Sequence, residues 1–312
     1  MPDKPFRTHN QQLKILRKRG MDVPTNGQPK RILERENYCN LINGYKDLFE
    51  VAGMTESYKT GTQFREVVAL YNFDFELRHA LLKPILQIET HVKSRIAYRF
   101  SQQYGHDNYL KLANFDLGDG LRKRLKHATE MVQTLQKDIA RQVIRQGPVQ
   151  HYMVSLGYVP LWVLINFLSL GTVSKFYSGV KQTDRQSISK VYRISDDAFG
   201  DVLSLLTLVR NKCAHSERIY NFRSPRIAIQ DHDFHTRLGI LRGPNGFVQG
   251  KQVLLAVLIA LKILLDRNDF RRLTREIDRR ISMLDKGIEV IASRDVLAQM
   301  GLVANWKQLA SI

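Results

Sequence analysis

The stretch TQFREVVALYNFDFELRHALLKPILQIETHVKSRIAYRFSQQY, Thr62 to Tyr104, decides the fold class. Phe64, Val67, Val68, Tyr71, Phe75, Leu82, Ile85, Leu86, Ile88 and Val92 recur in it mostly three or four positions apart. That period lines side chains along one face of an α-helix. Pro84 predicts a kink or a break between two helices. Outward from this segment the pattern stays helical. Residues 8–20 read as a short basic helix stopped by Gly20, and Val23 to Lys30, with Pro24, Gly27 and Pro29, as a loop. A second helix is expected from about Arg31 to Asn43. Residues 119–146 are highly charged around a narrow apolar stripe that includes Leu125, Met131, Val132, Leu135 and Ile139. Pro160 opens an apolar helix, Leu161 to Leu170, ended by Gly171, and Asp184 to Tyr192 is a short helix. Ser195-Asp196-Asp197 is a good N-cap, and Val253–Leu265 and Asn268–Ile291 are the last helices. Only Arg226–Gln230 and Phe247–Lys251 carry strand signals, with Gly243–Gly246 as the turn between them. The class is all-α.

The chain has 312 residues, 43% hydrophobic and 25% charged, a globular composition with material for a large core. Lys and Arg number 48 against 30 Asp and Glu, a formal net charge of +18. Such a surplus favours polyanions, nucleic acid ahead of anionic membrane. Cys39 and Cys213 show no metal-site or disulfide spacing and fit a reducing compartment. The N-terminal MPDKPFRTHNQQLKILRKRG has no apolar segment of the kind a secretory signal needs. The longest apolar run, Val253–Leu265, contains Lys262 and falls short of the roughly 20 residues of a bilayer span. A soluble, cytoplasmic protein with no membrane partner is expected.

The helix from about Asp196 to Arg218 carries a buried seam of Phe199, Val202, Leu203, Leu206, Val209 and Cys213. Cys213 reads there as a small buried hydrophobe rather than a nucleophile. Beside the seam stand Arg210, Asn211 and His215. Asn211 and His215, four apart, are nearly stacked, whereas Arg210 and His215 are roughly 140° apart and flank a groove. Arg218 adds a second cation. Attack of a ribose 2′-hydroxyl on the adjacent phosphate needs a proton removed, a leaving oxygen protonated and phosphoryl charge stabilised. Imidazole, whose ordinary pKa is about 6.5, serves as acid or base. Guanidinium matches the phosphate oxygens, and a carboxamide positions without adding charge. By spacing alone, an Arg/His pair at a helix end more often caps carbonyls and the helix dipole. Basic residues suited to an RNA backbone are Lys14, Arg17, Lys18, Arg19, Lys30, Arg31, Arg218, Arg272, Arg275 and Arg279, the last three on one side of a helix. Tyr38, Tyr45, Trp162 and Phe167 offer rings for base stacking, although such rings are more often core.

The run Leu206-Thr-Leu-Val-Arg210-Asn211-Lys-Cys-Ala214-His215-Ser-Glu-Arg218-Ile-Tyr220-Asn221 closely resembles the HEPN ribonuclease signature, an Arg and a polar residue followed after a short spacer by His. More narrowly it resembles abortive-infection proteins of the AbiD/AbiF type. Leu13-Lys-Ile-Leu-Arg-Lys-Arg-Gly20, Tyr38-Cys-Asn-Leu-Ile-Asn-Gly-Tyr45, the Asp74/Arg78/Glu89 set and Pro160-Leu-Trp162 through Leu170-Gly171-Thr172 match in the same order. The resemblance implies an all-α, HEPN-type helical bundle with additional N- and C-terminal helices. Its divisions would be a basic N-terminal segment (1–60), a HEPN-like core with the motif (61–225) and a C-terminal helical extension (226–312). It implies a phage-defence endoribonuclease with Arg210, Asn211 and His215 as its catalytic set and with no metal or other cofactor. A homodimer would pair two motifs, and a structured small noncoding RNA would be a partner beside the RNA substrate. A non-catalytic RNA-binding HEPN scaffold stays open beside the enzyme. Asp74, Arg78 and Glu89 read either as ordinary salt-bridge partners or as a network orienting Arg210 or His215.

Overall fold

The computed structural model describes residues 5–54, 56–118 and 120–312. The first four residues of the N-terminal stretch therefore lie outside the described residues. The helices, in chain order, are α1 (His9–Lys18), α2 (Gln28–Arg35), α3 (Phe64–Tyr104), α4 (Leu121–Val143), α5 (Pro148–Leu156), α6 (Leu161–Leu164), α7 (Leu170–Gly179), α8 (Gln182–Ser189), α9 (Asp196–Ala214), α10 (Asp233–Arg237), α11 (Leu254–Leu264), α12 (Arg267–Asp285) and α13 (Ser293–Met300). The only sheet among the described residues is a hairpin of β1 (Arg242–Gly243) and β2 (Gly246–Phe247). The all-α class holds.

The spine is α3, 41 residues and about 60 Å long. It passes Pro84 without a break, so the division into two helices that the proline allowed does not occur. A proline inside a helix removes one backbone hydrogen bond. Here Leu81, Pro84, Ile85 and Ile88 are all buried, so tertiary packing holds the helix through that gap. At the start of α3 the Gln63 amide donates to Glu66 Oε1 at 3.4 Å. The other oxygen of Glu66, fully buried, accepts the amides of Glu289 at 2.7 Å and Val290 at 2.9 Å. That clip joins the start of α3 to the segment after α12, which packs along α3. On another side α3 meets α9, and α7 packs on α9 in turn. In α11, every residue except Lys262 and Ile263 is buried, making it a central helix packed against α3, α9 and α12. No helix among the described residues is long and apolar enough to cross a membrane.

Several boundaries differ from the sequence reading for local reasons. The second helix starts earlier, with Pro29 in its first turn, and stops at Arg35 because Glu36 is extended; a π-helical turn, Cys39–Asn43, follows. The apolar 161–170 segment is no single helix. After α6 and a 3₁₀ turn, Ile165–Phe167, Leu168 is extended and Ser169 Oγ accepts the Thr172 amide at 3.1 Å, so Gly171 lies in the first turn of α7. Arg226–Gln230 is not a strand. Its stretch runs beside residues 251–253 through single bonds, Ser224 N to Gln252 O at 2.8 Å and Ile229 N to Lys251 O at 3.0 Å. Pro225, without an N–H, cannot extend them into a ladder.

Gly301 closes α13 at φ +67°, and a Cβ there would lie 2.5 Å from Val253 Cγ2 at the head of α11. Gly301→Ala is expected to cost about 2 kcal/mol or more in chemical denaturation, through clash and left-handed strain together.

Candidate functional site

The motif helix α9 is capped where the sequence places the cap, with Ser195 Oγ accepting the Ala198 amide at 3.1 Å and Asp196 and Asp197 in the first turn. Its seam, Phe199 to Cys213, is buried as read. Burial pushes the Cys213 thiol up to about 12, so it stays protonated at neutral pH. The helix ends at Ala214, four residues before Arg218, because the chain reverses there. The Ser216 amide donates to Cys213 O at 3.3 Å and the Glu217 amide to Lys212 O at 2.9 Å. This is a Schellman closure with Ser216 at φ +58°, where glycine is usual. Lys212 Nζ, 2.5 Å from Glu217 Oε2, fastens the turn. His215 is thereby the capping residue, with an exposed side chain at the helix end, and Asn211 one turn back is exposed too.

Arg210 looks towards α3. Its Nε stands 3.8 Å from Glu89 Oε2, and both atoms are buried without a hydrogen-bond partner. Glu89 Oε1 accepts from Lys93 Nζ at 2.7 Å, and Lys93 also reaches Asn166 O at 3.5 Å. Glu89 thus faces two cations, Lys93 at hydrogen-bond distance and Arg210 a little farther. The Arg210 side chain remains about one-third exposed (32%), so its guanidinium is restrained yet reachable.

Asp74 forms the second joint between α3 and the motif region. Its carboxyl accepts the Tyr45 hydroxyl at 2.6 Å, Arg78 Nη1 at 2.5 Å, the Tyr220 amide at 2.6 Å and the Ile219 amide at 3.0 Å. Burial pushes the Asp74 carboxyl above its ordinary value, while the Tyr45 hydroxyl, Arg78 and the two amides pull it back. Tyr45 stacks on Tyr220 with centroids 5.7 Å apart, and burial pushes the Tyr220 hydroxyl up to about 12. Arg218 Nη1 donates to Gly44 O and lies 3.3 Å from Asp47 Oδ2. The loop after His215 is therefore tied to α3 and to the 44–47 turn. An open cleft of about 710 Å3 lies beside it, lined among others by Asn40, Lys212, His215, Asn221 and Arg223. Arg210 does not line this cleft.

Of the residues read for RNA contact, Arg218 sits at the cleft but is already engaged as above. Arg17 donates to Val23 O and Pro24 O, both at 3.0 Å, and Arg19 pairs with Glu56 at 2.6 Å. Lys30 lies 3.5 Å from Glu34; Lys14, Lys18 and Arg31 are exposed. On α12, Arg272 pairs with Asp269 and Arg279 with Glu276, while Arg275 has no carboxylate partner among the described residues. These groups lie on separate elements from the cleft, and only Arg218 lines it. Lys93, bonded to Glu89, and the Tyr45 hydroxyl, bonded to Asp74, join the site only in the structure. The spacing of Lys93, four residues after Glu89, was the available signal. Among the described residues no group of three or more His, Cys, Asp or Glu is placed to hold a metal ion.

Asp74→Ala would leave Arg78 buried without its counter-charge and two amides unpaired, a loss of about 3–5 kcal/mol in urea unfolding. Ser216→Gly should instead raise stability by about 1 kcal/mol, since glycine takes a positive φ without steric penalty.

The Abi-like protein family matches residues 31–221, which span the 39–45 turn, α3, the 160–172 segment and the motif helix with its following loop. No curated protein and no solved structure matches the chain. The matched region covers well over half of the 312 residues, and the chain belongs to the Abi-like protein family.

Proposed function

We propose that this protein acts in abortive infection as a metal-independent endoribonuclease of the HEPN superfamily, of the AbiD/AbiF type, working in the cytoplasm. Family membership supports the general role in phage defence. In this reading residues 61–225 are the HEPN-like core, flanked by a basic segment (1–60) and a helical extension (226–312). His215 takes the proton from the ribose 2′-hydroxyl or returns one to the leaving 5′-oxygen. Arg210 stabilises the charge on the phosphoryl oxygens, and Asn211 positions the phosphate or the imidazole. Glu89 acts through Arg210 as a positioning residue, with Lys93 balancing its charge.

The observation that carries the reading is how the motif is presented. A reversed helix end leaves His215 exposed at a cleft with Lys212 and Arg223, while Arg210 is restrained by a carboxylate and still reachable. An ordinary helix-end pair would need neither the cleft nor the buried Glu89. Because Arg210 does not line the cleft that His215 lines, a second copy of the chain supplies the complementary Arg and His in a homodimer. The same observation favours one rival, a HEPN scaffold that holds a structured noncoding RNA without cutting it. RNA is the partner in both.

Purified wild-type protein should cleave RNA. His215→Ala and Arg210→Ala should each lose about 100-fold or more in cleavage rate while retaining RNA binding. Equal cleavage by both variants would sink the enzyme assignment, and tight binding by an uncleaving wild type would establish the scaffold.

A further inference from the structure

The four aromatic residues that the sequence offered for stacking part company in the structure. Tyr45 is buried in the joint with Asp74 and Tyr38 is half-buried, whereas Trp162 and Phe167 are 49% and 39% exposed. Both exposed rings belong to one short segment, α6 and the 3₁₀ turn after it. Its Leu161, Leu164, Ile165 and Leu168 are buried and anchor it. We propose that Trp162 and Phe167 form a stacking platform for unpaired bases of a single-stranded RNA whose backbone passes Arg210. For the identity of the polymer the proposal rests on the ribonuclease reading above.

Three observations carry it. First, Trp162 is held in place. The Trp162 ring leans on the His106 ring, centroids 5.2 Å apart, and His106 Nε2 lies 2.9 Å from the Tyr158 hydroxyl. The Leu161 amide donates to His106 O at 2.9 Å, and Asn166 Nδ2 to Trp162 O at 2.7 Å. Rings already held in place lose little freedom when a base stacks on them. Second, the platform is coupled to the motif. Lys93 joins Asn166, the residue before Phe167, to Glu89, and Glu89 faces Arg210. A guanidinium for phosphate is thus tied, through Glu89 and Lys93, to the backbone of the segment that bears flat apolar faces for bases, the combination that single-stranded nucleic acid requires. Third, within the segment the exposed rings are interspersed with exposed Asn166 and Ser169, which offer polar atoms beside the apolar faces. That pattern, in a chain of net charge +18, fits bases on a polyanion better than a protein surface. A duplex keeps its base faces stacked inside and could not use the platform.

The chain's two tryptophans make the test direct, because Trp306 is buried (3% exposed) and Trp162 is the one that solvent reaches. In full-length His215→Ala protein, oligoadenylate of about 12 nucleotides should quench tryptophan emission, and the same strand annealed to its complement should not. Trp162→Ala and Phe167→Ala, built in that background, should each weaken binding of labelled oligoadenylate by about five- to tenfold. Binding of the duplex should be unchanged, which also reports that the variants are folded. Oligoadenylate binding with unaltered emission, or undiminished binding by both variants, would overturn the platform. Emission that changes with protein concentration in the absence of RNA would assign the rings to a protein interface and overturn it too. Quenching and weakened binding in a protein whose wild type cuts no RNA would uphold the platform while the ribonuclease reading fails. Cleavage by wild type without any emission response would do the reverse, and absence of all RNA binding would remove both.

Discussion

The carboxyl group of Asp74, sealed inside α3, is the point on which the motif region depends. It is fully buried and has four donors around it: the Tyr45 hydroxyl, the Arg78 guanidinium and the amides of Ile219 and Tyr220. An isolated buried charge would be expensive, but one so surrounded converts that cost into geometric specificity. The donors come from three parts of the site. Tyr45 belongs to the turn before α3, Arg78 to α3 itself, and the two amides to the loop that follows His215. If the loop moves, a buried acceptor loses its partners, so the chain after the motif has little freedom.

A second carboxylate one face along the same helix does different work. Glu89 divides its two oxygens between Lys93 at 2.7 Å and Arg210 at 3.8 Å. The shorter contact is a full hydrogen bond. The longer one is a Coulomb restraint, which aims the guanidinium without filling its hydrogen-bonding capacity. The loose pairing of Arg210 and the tight clasp of Asp74 divide the labour, one leaving the guanidinium partly exposed and the other holding the loop after His215.

Much of this was legible in residue order. Ser195 before two aspartates, then a three-four seam from Phe199 to Cys213, specified α9, its start and its buried face, because capping and amphipathic spacing are local properties. The i, i+4 spacing of Asp74 and Arg78 announced a pair. Two boundaries escape the pattern: burial holds one helix through Pro84 rather than dividing it there, and Ser169 starts a new helix where the apolar run alone shows no boundary. The end of α9 lies earlier than the residue pattern predicts, since nothing in Ser216 marks it as a left-handed residue.

By itself, then, the sequence determined an all-α chain of strong positive charge, the helix bearing Arg210, Asn211 and His215, and the five-residue step that keeps Arg210 and His215 on different sides of it. Those follow from composition, helical period and covalent spacing, which need no partner. Only the tertiary structure decided that Asp74 grips the loop after His215, that Glu89 faces Arg210, that Arg218 turns to Gly44, and that Trp162 and Phe167 emerge while Tyr45 is buried. Each of those joins groups far apart in the chain, and which pairs meet is set by the packing of α3 against α9 and of α6 onto α3, not by any local preference.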